Sequence, residues 1–122
     1  MASASIAFEA PDNASGASPS KSRPIDLVHL ANQTMGDKTL ENEILLMFSR
    51  NARGALNEIA TGNEAAVVAT AHRLKGSAAA VGAFRVFVAA ELVEANGSDA
   101  ALRASLGAAV VEAENFILKL CR

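Results

Sequence analysis

From Leu40 to Leu120 the apolar residues return every third or fourth position, and only short polar breaks interrupt them. Leu40, Ile44, Phe48, Ala52, Ala55 and Ile59 step by 4, 4, 4, 3 and 4. Val67, Ala71, Leu74, Ala78 and Val81 step by 4, 3, 4 and 3, and Val86, Ala90 and Val93 make a shorter set. Leu102, Leu106, Ala109, Ala113, Phe116 and Leu120 repeat the pattern at 4, 3, 4, 3 and 4. A 3.6-residue repeat of this kind is one buried face of a helix. The breaks are Thr61-Gly62-Asn63, Gly82 and Asn96-Gly97, with Gly62 read as a left-handed stop. Asp37 is a side-chain cap for a helix running to about residue 60, and Ser98 or Asp99 caps the last one. The two middle helices span about 63–81 and 83–95. Connections this short force antiparallel neighbours. The expected fold is therefore all-α, an antiparallel up-down four-helix bundle.

A short additional helix is expected at about 25–33, where Ile25, Leu27, Val28 and Leu30 follow Pro24, a residue suited to a helix start. Residues 1–24 are rich in Ala, Ser, Pro, Gly and Asn and show no period, so they read as a disordered tail in which only Ile6 and Phe8 could dock weakly. The bundle domain is then 25–122.

Composition narrows the function. A chain of 122 residues suits one domain. Its formal net charge of −2 supplies no basic field for nucleic acid. Cys121 is the single cysteine, so neither an internal disulfide nor a cysteine metal cage can form, which fits a reducing compartment. No apolar run nears the ~18 residues of a membrane span, and the N-terminus lacks the basic and apolar regions of a signal peptide. A cytoplasmic protein without membrane or nucleic-acid partners is expected.

One position stands out from the scaffold. On a helical wheel His72 falls about 140° from its helix's apolar seam and faces water. Around it lie Ala65, Ala69, Gly76, Ala79 and Ala80, where an ordinary exposed face carries Glu, Lys, Gln or Arg. A mid-helix glycine costs about 1 kcal/mol against alanine. Gly76 is one turn from His72 and opposite the seam, so close helix packing does not account for it; clearance for an approaching partner does. Lys75, three residues on, and Arg73, adjacent, can offset negative charge placed on the imidazole. Ser77 can bond a nearby carbonyl. A lone helical histidine is ordinarily a surface residue, and so is a lone lysine; here the small residues, Gly76 and Lys75 occur together. His29 has no such surroundings and reads as structural or as a surface residue.

The stretch Ala71-His72-Arg73-Leu74-Lys75-Gly76-Ser77 with Val81-Gly82-Ala83 resembles the histidine phosphotransfer (HPt) family. Phe48, the Gly62-Asn63 turn and Leu92-Val93-Glu94 support the likeness, which covers about residues 25–121. It implies a helical bundle in which His72 accepts a phosphoryl group from an aspartyl phosphate of one response-regulator receiver domain and passes it to another. It further implies attack by the ring nitrogen remote from the backbone, Lys75 as the positive neighbour and Gly76 as the clearance residue. No cofactor is implied, because the acidic pocket and Mg²⁺ belong to the receiver. The chain would be a phosphocarrier rather than an enzyme, with receivers and a hybrid sensor histidine kinase as partners. Dimerisation domains of sensor kinases also bear a helical phosphohistidine, but there an acidic residue and then a proline follow it. Here Arg73 follows, and there is neither a proline after Pro24 nor a nucleotide loop. A free-standing relay protein is expected.

A partner must use the face around His72. Leu46, Arg50, Arg53 and Asn57 step by 4, 3 and 4 away from their helix's seam, so Leu46, Arg50 and Arg53, with Ala69 and Ala79, are candidate docking residues for an acidic receiver rim. Phe84, Val88 and Leu92 form a second apolar line, which the short first helix covers if the protein is the expected monomer and which a dimer would cover otherwise. The rival function is a helical interaction module in which His72 is incidental.

Overall fold

A computed structural model describes residues 23–121. It contains α1 (Leu27–Thr34), α2 (Lys38–Thr61), α3 (Glu64–Val81), α4 (Phe84–Ala95) and α5 (Ala100–Leu120), with no strand among the described residues. Residues 1–22, most of the expected tail with Ile6 and Phe8, lie outside the described residues.

Each start has a local cause. Asp26, Asp37, Asn63 and Asp99 are the caps of α1, α2, α3 and α5, their side chains accepting backbone N–H groups of the first turn at 2.9–3.1 Å. Asp26 places the start of α1 at Leu27, three residues after Pro24. α4 has no side-chain cap; it follows the αL turn at Gly82 directly, held where Asp26 donates its N–H to the Gly82 carbonyl at 2.8 Å.

α2, α3, α4 and α5 form a ring in that order, each packed on the next and α5 closing on α2. This is the expected up-down bundle. α1 lies on α2 and α3. The five seam residues of α3 are all buried, as are Val86, Ala90 and Val93 of α4. Much of this core is alanine, with Ala71, Ala78, Ala83 and Ala90 wholly buried, and small residues let helix axes approach closely.

Several expectations change. On α2, Leu45 is fully buried while Leu40 is 40 % exposed; the buried place one turn before Leu45 is taken by Glu41, whose carboxylate accepts from the Thr34 hydroxyl at 3.1 Å. On α5 the buried residues are Leu106, Val110, Ala113 and Ile117, and Leu120 is exposed. Ala109-Val110 and Phe116-Ile117 are adjacent apolar pairs, so spacing leaves the register open by one residue and packing chooses the second of each. α1 does not cover the line on α4. It reaches α4 through the His29 ring, which meets Phe84 edge-on at 5.3 Å between centroids, while Val88 and Leu92 remain exposed. Gly62 is not a left-handed stop: its φ of −87° and ψ of 159° are extended. Glycine is required there by space, because a Cβ would lie 2.8 Å from the Glu58 carbonyl oxygen.

Gly82 is the left-handed stop, with φ 84°. A Cβ there would also sit 2.9 Å from the Asp26 carbonyl oxygen. Gly82→Ala is expected to destabilise the fold by about 2 kcal/mol through both effects, read as a lower midpoint in urea denaturation.

Candidate functional site

His72 projects from the middle of α3. Ala71 and Leu74 beside it face the core, which turns the imidazole outward, and its side chain is 67 % exposed. Its Nδ1 lies 2.7 Å from Glu94 Oε2 on α4. The other oxygen of the same carboxylate, Oε1, accepts from Lys75 Nζ at 2.7 Å. One carboxylate therefore ties together the imidazole and the lysine one turn on. Lys75 is drawn down against the helix, only 24 % exposed.

The chemistry of the pair fixes the ring. An ionised carboxylate only accepts, so the proton lies on Nδ1. In the neutral ring the lone pair is then on Nε2, the nitrogen that faces solvent. The Lys75 ammonium, followed by the His72 hydrogen bond, holds the Glu94 carboxyl below its usual 4.5, and Glu94 in turn raises Lys75 above its usual 10.5. Both groups are charged throughout the neutral range.

The surroundings are low. Ala65, Ala69, Gly76 and Ala80 are exposed and Ala79 is half-buried. Among the described residues nothing lies within 4 Å of the place a Gly76 Cβ would take, so no contact among them requires glycine there.

Other candidates turn elsewhere. The Arg73 guanidinium reaches across to α2, donating to Glu58 Oε1 at 2.9 Å and to Thr70 Oγ1 at 3.2 Å. Ser77 Oγ donates to its own helix at the Arg73 carbonyl, 3.2 Å away. Neither joins the His72 cluster. Arg50 lines a groove between α2 and α3 together with Arg73 and Ser77. Leu46 is 37 % exposed. Arg53 pairs with Glu114 of α5, on the seam across the ring from α3 and α4, so the structure does not bring it to the side of His72.

Glu94 is the member that sequence reasoning passed over as a site residue. A signal was present. In an antiparallel pair turning at Gly82, His72 is ten residues before the turn and Glu94 twelve after it, which places them at similar heights on neighbouring helices.

Among the described residues no group of three His, Cys, Asp or Glu side chains could hold a metal ion, and no helix is long and apolar enough to cross a membrane. What the site offers is an exposed nucleophilic nitrogen with its tautomer set, a cation one turn away, and unobstructed space above. No curated protein and no solved structure matches the chain. A family model described as Hpt domain matches residues 43–116, a span that contains His72, Lys75, Gly76 and Glu94. The chain belongs to the Hpt domain family, and is a histidine phosphotransfer module of phosphorelay signalling.

Proposed function

We propose that His72 relays a phosphoryl group between aspartates of response-regulator receiver domains. Nε2 attacks the phosphorus of the aspartyl phosphate. The P–N bond forms as the bond from phosphorus to the carboxylate oxygen breaks, and the electron pair leaves with the aspartate. The Nδ1 proton stays on the ring and keeps its hydrogen bond to Glu94, which offsets the positive charge that the imidazole gains. Lys75, one turn away, turns from Glu94 toward the phosphoryl oxygens. The reverse sequence delivers the group to a second receiver.

The observation that carries this reading is the Glu94 carboxylate shared by His72 Nδ1 and Lys75 Nζ, which leaves Nε2 as the free nucleophile. The receiver supplies the acidic pocket and Mg²⁺, and the chain acts as a cytoplasmic phosphocarrier that also meets a sensor histidine kinase. Gly76, Ala69 and Ala79 give the receiver clearance, and Leu46 and Arg50 lie within its footprint. Arg73 and Ser77 support the site by shaping the neighbouring groove rather than by touching phosphate. To test this, a receiver carrying a radiolabelled phosphoryl group is mixed with the protein. Acid-labile, base-stable label mapping to residue 72 is expected. Label that stays on the receiver, or maps to His29, overturns the proposal.

A further inference from the structure

Beside the His72 cluster, on the side away from Glu94, a groove of about 390 Å³ runs between α2 and α3. Arg50, Gly54 and Glu58 line it from α2, and Thr70, Arg73 and Ser77 from α3. Glu58 is taken up within it, accepting from Thr70 Oγ1 at 3.0 Å and from Arg73 at 2.9 Å. Arg50 has no hydrogen-bond or ion-pair partner among the described residues. The groove is thus lined by a guanidinium without a partner among the described residues and by a neutralised Glu58–Arg73 network.

Gly54 is the unexplained member. It lies inside the 24-residue helix α2, where glycine disfavours the helix. Among the described residues nothing lies within 4 Å of the place its Cβ would occupy, so no contact among them requires it. The antiparallel register explains its position. Glu58 bonds the Thr70–Arg73 turn, so four residues back along α2, Gly54 comes level with the Leu74–Ser77 turn that holds Gly76. Two mid-helix glycines whose Cβ positions are open therefore lie at one height on neighbouring helices, one turn from His72.

We infer that the α2/α3 groove receives an acidic edge of the receiver, and that Gly54 is kept without a side chain to admit it, with Arg50 as its charge partner. The inference rests on the proposed relay and adds to it a direction of approach, over α2 rather than over α4. It makes Gly54 and Arg50 determinants of which receiver fits.

The experiment compares Gly54→Gln, Gly107→Gln and Arg50→Glu in melting temperature and in label uptake from the phosphorylated receiver. Gly107 is the control: its Cβ position is also open, and it lies seven residues before Glu114 on the seam remote from His72. Both glutamine variants are expected to melt higher by about 4 °C. Gly107→Gln takes up label at the wild-type rate. Gly54→Gln and Arg50→Glu slow uptake about tenfold, mainly through a weaker KM. A folded Gly54→Gln that takes up label like wild type overturns the inference. If that variant melts below wild type, a wild-type rate in Arg50→Glu overturns it instead. Wild-type protein that takes no label removes the proposed relay and this inference with it, whereas labelled wild type with unaffected variants removes the groove alone.

Discussion

His72→Gln is expected to abolish uptake of label from a phosphorylated receiver, a loss of about a thousandfold or more, while the helical circular dichroism and melting temperature stay near wild type. The side chain is 67 % exposed, and its hydrogen bond among the described residues is to Glu94. Exposed substitutions of this kind change stability by about 0.5 kcal/mol or less. Glutamine keeps a polar group but has no lone pair able to form a stable P–N bond, so the nucleophile itself is removed. The size of the effect separates this position from its neighbours, since loss of the attacking atom leaves no partial route. Retained uptake at the wild-type rate would return His72 to the status of a surface residue.

The second large effect is expected at Glu94, a positioning residue. Glu94→Ala removes a charge-assisted hydrogen bond from Nδ1 and frees Lys75, and a loss of about 1.4 kcal/mol in the transition state slows phosphotransfer about tenfold. Glu94→Gln retains an acceptor for Nδ1–H and should recover part of the rate. The ¹⁵N shifts of the His72 ring supply the readout that a purely structural role would not move: wild type shows the proton on Nδ1, and Glu94→Ala shows a mixture of tautomers. Acidity gives an independent check. The Glu94 carboxyl is depressed by Lys75 and then His72, so its bridge is whole above the usual 4.5 and is lost as pH falls through the lower value. Lys75 is raised by Glu94, so its half is whole below the usual 10.5 and is lost as pH rises through the higher value. The carboxyl and the ammonium should therefore both stay ionised between those limits. A tautomer ratio unchanged in Glu94→Ala would remove the positioning role.

What could be read from the chain alone follows from how each residue is constrained. The five apolar seam residues of α3 were legible because Leu74 and Val81 have small or polar neighbours, so one register buries them, whereas the buried Thr70 was not. α2 and α5 slipped by a residue where apolar side chains are adjacent, as at Leu45 and Val110, and only three-dimensional packing separates the choices. Asp37 and Asp99 were legible as caps because that interaction is local. Glu94 and the directions of Arg73 and Arg53 were not, since each is decided by a partner 15 to 61 residues away. A helical wheel gives the side on which a residue stands, but not which of two neighbouring helices a long side chain turns toward.

The alanine core between α3 and α4 bears on how the outward-facing site is tuned. Ala71 and Ala90 are wholly buried, and thin packing draws the two backbones together. The carboxylate of α4 can then bridge to an imidazole on α3 although neither group enters the interior. Hidden volume thus acts as a spacer for visible chemistry. A chain could retune the His72–Glu94–Lys75 geometry by exchanging interior methyl groups, with every polar residue on its surface left in place.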